Sequence, residues 1–147
     1  MNQSSVLMNA ESARVEHLRF IQDIIGRMAR NSFAIKAAST TIVAALVAVA
    51  LSANYLVAAF GGIPLVMFWL LDAFYLSQER LFRVLYNTVR RGPPPELGSE
   101  GYFSMDIKAD RRPVRETLAT MVTRTLLTFY VPLLTLLGLV ALLARRG

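Results

Sequence analysis

The sequence predicts an all-α integral membrane protein with three transmembrane helices, a cytoplasmic amphipathic N-terminal helix, a cytoplasmic extension of the second span and a short strand. Three observations carry that prediction. Of 147 residues, 54% are hydrophobic and 18% charged, more apolar than a soluble domain requires. The apolar residues fall into three blocks of about twenty, the length that crosses a hydrocarbon core of roughly 30 Å. The basic residues are gathered on one side of those blocks, as the positive-inside rule demands.

Residues 1–10 are polar, small and aperiodic, which predicts a mobile tail. They carry no basic stretch followed by an apolar one, so a cleavable signal peptide is not expected. From residue 11 to 31, Val15, Leu18, Ile21, Ile25 and Met28 recur at spacings of three and four, widened by Phe20 and Ile24, which predicts an amphipathic helix. Such a helix packs on the rest of the protein or lies on an anionic leaflet.

Residues 33–52, FAIKAASTTIVAALVAVALS, form the first span, with Lys36 as its one charge. Ala34, Ala37, Ala38, Ala44, Ala45 and Ala48 allow another helix to come close. Ser52, Ala53 and Asn54 make the turn into a second span, 55–75, in which Pro64 marks a kink. The helix continues past the apolar segment through 76–91, with Leu81, Val84, Leu85 and Thr88 on one side, so that one rod joins two solvents. Gly92 and Pro93, Pro94 and Pro95 end it.

The loop 92–112 contains YFSMDI at 102–107, whose alternation predicts a short strand that needs a partner strand. A helix over 113–125, started by Pro113, leads into the third span, 126–144, with Pro132 as a second kink. Four basic residues precede the first span, Lys36 lies at its start and nine lie between the second and third, against two at the C-terminus. The N-terminus and long loop are therefore expected in the cytoplasm and the C-terminus outside. The net charge of +6 follows from this topology and suits contact with anionic headgroups rather than a nucleic acid polymer.

Catalytic signatures are missing. The chain has no cysteine, hence no disulfide, thiolate ligand or thiol nucleophile, and one histidine, His17, expected as a surface or helix-interface residue. No phosphate-binding loop, zinc-protease or nucleophile-elbow motif occurs, and neither an enzyme, a cofactor nor a metal is expected. Asp72 stands out instead, because a carboxylate inside a span is costly and needs a partner or water. Lys36 lies eighteen residues before Asn54 and Asp72 eighteen after it, so an antiparallel hairpin pairs them at similar depth. The pair either fixes helix packing or belongs to a proton or ion relay. The same register brings Arg30 toward Gln78 and Glu79, and sets residues 12–30 against 76–91. Glu79 beside Arg80, and Asp106 near Lys108, are expected as solvated charges.

The stretches EHLRFIQDIIGRMARNSFAIKAASTTIVAAL, FWLLDAFYLSQERLFRVLY and GYFSMDI, with FYVPLL in the third span, resemble a family of small bacterial three-span membrane proteins. The resemblance carries over Asn31, Ser32 and Phe33 ahead of the first span, and Trp69, Asp72, Tyr75, Gln78, Glu79 and Arg80 on the second. Ala37 and Ala38 depart from the glycine and tryptophan expected after Lys36. Similar architectures serve as membrane effectors in nucleotide-signalled antiviral defence. The resemblance thus implies a homo-oligomer in the bacterial inner membrane that answers a small nucleotide or a cytoplasmic protein partner. An accessory subunit anchoring a soluble partner, and a small channel or transporter subunit, are the alternatives.

Overall fold

The computed structural model describes residues 3–52, 55–92, 105 and 113–146. Four helices account for nearly all of them: α1 (Gln3–Ser52), α2 (Tyr55–Arg91), α3 (Pro113–Met121) and α4 (Arg124–Arg146). Three of these, α1, α2 and α4, contain segments long and apolar enough to cross a membrane. No strand occurs among the described residues. The segment expected as a strand, 102–107, lies outside them except for Met105, which takes no regular structure, and the three prolines after Gly92 lie outside them too.

Two helix boundaries differ from expectation. Residues 3–10, expected as a tail, belong to α1, because Met8 and Ala10 favour helix and nothing nearby breaks it. The helix expected over 113–125 stops at Met121. There the hydroxyl and amide of Thr123 both donate to the Thr120 carbonyl, at 2.7 and 3.0 Å. The Thr123 carbonyl then accepts the first bonds of α4, from the amides of Leu126 and Leu127 at 3.1 and 3.0 Å, as an N-cap residue does. The hydrogen bonds of Thr120 and Thr123 therefore turn the chain within the sequence TMVTRT at 120–125.

The chain forms two compact units. In one, residues up to Ala29 pack with residues from Gln78. Ala10, His17 and Ile21 are buried there, with Leu18, Ile24, Ile25 and Met28 half-buried, while Val15 and Phe20 are exposed. On α2 the half-buried side chains are Leu81, Phe82, Leu85, Tyr86 and Val89; Val84 and Thr88, expected on the packed side, are exposed. The reason is the i, i+4 pair Phe82 and Tyr86, whose bulk turns the packed face. Tyr86 also accepts a hydrogen bond from Gln22 Nε2 at 3.2 Å, and the Arg14 guanidinium donates to the carbonyl of Arg90. A cation at the last turn of α2 suits both its free carbonyls and its dipole.

The second unit runs from Arg30 to Ser77 and from Arg112 onward. Its core is Val43 and Ala50 from α1, Ala58, Leu65 and Ala73 from α2, and Leu126, Tyr130, Leu137 and Val140 from α4. Spacings of three, four, seven and eight place each set on one helix face. Pro64 and Pro132 both lie inside helices, as bundle neighbours permit. Gly61 is where α1 and α2 come close: a Cβ there would meet Leu46 Cδ1 at 2.6 Å. Of the six alanines expected to let another helix come close, Ala38 is half-buried within the chain. Ala34, Ala37, Ala44, Ala45 and Ala48 are exposed, because Ile35, Ser39, Val43 and Ala50 occupy the inward face.

Leu65 is 2% exposed and Leu139 54% exposed. Leu65→Ala should therefore cost about 2–5 kcal/mol of stability. Leu139→Ala should stay within about 0.5 kcal/mol, as surface changes do. Reversible unfolding in detergent micelles measures both.

Candidate functional site: a buried carboxylate joining three helices

Ser32 and Lys36 are one helical turn apart, so they share a face of α1 and reach the same neighbour. That neighbour is Asp72 of α2, which is fully buried. Lys36 Nζ lies 2.6 Å from Asp72 Oδ2 and also donates to Ser32 Oγ at 2.8 Å. The Ser32 hydroxyl donates to Asp72 Oδ1 at 2.5 Å. From α4, the Tyr130 hydroxyl donates to Asp72 Oδ2 at 3.1 Å. Both carboxylate oxygens are thus satisfied, and by donors from the two helices that flank α2. Lys36 keeps 22% of its side chain exposed while its ammonium group reaches the buried carboxylate.

Trp69 buttresses this cluster. One turn before Asp72 on the same helix, its ring stacks on Tyr130 with centroids 5.7 Å apart and planes 8° from parallel. Phe129 meets Tyr130 edge-on at 4.9 Å. The indole N–H donates to the carbonyl of Met121 at 3.2 Å. Met121 ends α3, where carbonyls lack intrahelical partners, so Trp69 caps the helix that the Thr123 turn cuts short. Ser77 and Thr117 bring their hydroxyls within 3.4 Å of each other, a second polar contact between α2 and α3.

The remaining residues singled out by sequence are dispersed. Asn31 is half-buried and Phe33 is 74% exposed, facing away from the cluster. Tyr75 contacts Phe74 edge-on at 5.7 Å, Gln78 is half-buried and Arg80 is exposed. Glu79 is a correction: it is buried rather than solvated, and its Oε1 takes Arg83 Nε and a terminal nitrogen at 2.8 and 2.7 Å, one helical turn on. Its sequence neighbour Arg80 points elsewhere because adjacent helical residues do not face each other. His17 is buried within its unit. Asp106 and Lys108 lie outside the described residues. Tyr130 was missed by sequence reasoning, although a lone phenol within an apolar block was a usable signal.

Chemically, the cluster binds helices together. Beyond Ser39, whose hydroxyl bonds the Ile35 carbonyl at 2.7 Å, the buried side chains are Val43, Ala50, Ala58, Leu65, Leu137 and Val140, while Ser77, Thr117 and Thr120 are buried toward α3. No group of His, Cys, Asp and Glu suited to a metal occurs among the described residues. No protein-family model matches the chain, and no curated protein or solved structure does either.

Asp72→Ala should cost roughly 3 kcal/mol or more, because it strands the Lys36 charge and removes the acceptor of the Ser32 and Tyr130 hydroxyls. The double change Lys36→Met, Asp72→Leu should cost less than Asp72→Ala. Equal losses on unfolding in micelles would refute the pairing. Tyr130→Phe keeps the stack on Trp69 and removes one bond, for an expected loss of about 0.6–1.7 kcal/mol. Trp69 is the only tryptophan, so its emission should shift red in Asp72→Ala as Tyr130 loosens, and stay nearly unchanged in Tyr130→Phe.

Proposed function

We propose that this protein is a small multi-pass inner-membrane effector, a homo-oligomer that perturbs the bilayer when a cytoplasmic signal reaches its charged helical segments. The observation that carries the reading is the buried carboxylate held by three helices. An intramembrane charge is expensive to keep and is retained where an arrangement has to be specified or switched. Here one residue, Asp72, holds α1, α2 and α4 in a single arrangement. Any change that parts its donors turns a satisfied group into a costly one, which suits a resting state with a defined release.

Two further features support it. In the most apolar windows of α1, α2 and α4 only 22%, 28% and 22% of residues are buried, which leaves most of each span for lipid or other subunits. In addition, α1 and α2 each carry an apolar and a charged segment in one uninterrupted helix. Each can therefore convey a displacement along its axis. The likeness to effectors of nucleotide-signalled antiviral defence makes a small nucleotide the first signal to try, and the basic residues gathered before the first span and between the second and third support a cytoplasmic N-terminus.

The test is induced expression in bacteria with a potential-sensitive dye. Wild-type protein should depolarise cells once it accumulates or its signal is present. Asp72→Asn should do so at a level about tenfold lower, the effect of a 1.4 kcal/mol loosening on a two-state equilibrium. Membranes that stay polarised with both proteins at matched high abundance would overturn the effector reading in favour of an anchoring subunit.

A further inference from the structure

An apolar groove runs along α2 and is roofed by α3, with an accessible volume of about 750 Å³. Pro64, Met67, Leu71 and Phe74 line it from α2, and Val114 and Leu118 from α3. The four α2 residues recur at three and four, so they form one continuous stripe. From Pro64 to Phe74 the stripe is about 15 Å long at 1.5 Å per residue. Its volume lies in the range of small-molecule sites. The one polar lining side chain, Thr117, has its hydroxyl beside Ser77, so the groove wall offers hydrocarbon.

The α3 helix that roofs the groove carries a basic side chain between two lining residues. Arg115 is exposed, directly follows Val114 and lies one turn before Leu118. A linear apolar slot with a cation at its α3 end matches a molecule that is a chain at one end and an anion at the other. We propose that the groove is a binding site for one acyl chain of an anionic phospholipid, whose phosphate is held by Arg115. This rests on the chain being embedded in a membrane and is independent of the effector reading. Seated there, the lipid packs α3 against α2 beside the Trp69 and Ser77 contacts.

Native mass spectrometry of the protein released from nanodiscs of phosphatidylcholine and phosphatidylglycerol tests it. Wild type should retain one phosphatidylglycerol. Leu71 is 43% exposed, so Leu71→Trp fills the slot without disturbing the core and should abolish retention, as should Phe74→Trp. Arg115→Gln should keep a lipid but lower the preference for phosphatidylglycerol about five-fold, the worth of one basic residue near an anionic surface. The proposal is overturned if wild type retains no lipid, if the filling variants retain as much as wild type, or if Met67→Cys, in this cysteine-free chain, forms disulfide dimers that show a second copy in the groove. Release of the protein from membranes by alkaline carbonate would instead remove the membrane reading itself, whatever the dye experiment gives.

Discussion

A fully buried carboxylate has no water to turn to, so the helix that carries Asp72 must find donors from its neighbours. The fold meets that need completely. Lys36 and Ser32 arrive from α1 on one turn, and Tyr130 arrives from α4. The apolar core of this unit supplies packing but little choice among rotations, since leucine, valine and alanine fit many arrangements. The donors around Asp72 supply the choice, fixing at once the register of α1 on α2 and the face that α4 presents.

The break between α3 and α4 belongs to the same arrangement. A single helix through 113–146 would carry its residues past Trp69 with every carbonyl already committed. Stopping at Met121 frees a carbonyl for the indole, and the indole in turn is held flat against Tyr130. The end of α3 at Met121 is thus linked to Asp72 through the Trp69 hydrogen bond, the stack of Trp69 on Tyr130 and the Tyr130 hydroxyl. A tryptophan in a span is often explained as an interfacial anchor; here its polar edge ends a helix and its face braces a phenol.

Much of this was legible beforehand. Block length located the apolar segments of α1, α2 and α4, since twenty apolar residues have few other uses. Counting outward from Asn54 paired Lys36 with Asp72, because an antiparallel hairpin has one free parameter and a short turn fixes it. The Gln22 and Tyr86 contact, equally distant from Asn54, obeys the same count. Other features required geometry. Tyr130 belongs to a helix reached through a long loop, so no register argument ties it to Asp72. The stop at Met121 lay hidden because threonine is tolerated within helices as well as at their caps. Residue type did not mark the inward face of α1, where Ser39 and Ala50 are buried beside Ile35 and Val43 while Ala34, Ala37, Ala44, Ala45 and Ala48 are exposed. The buried Glu79 was obscured by Arg80, whose adjacency in sequence is separation on a helix.

The contact on which all of this depends can be measured in a bilayer. Magic-angle-spinning NMR on protein labelled at lysine side-chain nitrogen and aspartate carboxyl carbon reads a nitrogen-to-carbon distance, and Lys36 is one of only two lysines in the chain. The account predicts a dipolar coupling typical of direct hydrogen-bonded contact, assigned to Lys36 and Asp72 by its loss in Lys36→Met. A spectrum without such a coupling, or one unchanged by Lys36→Met, would contradict it.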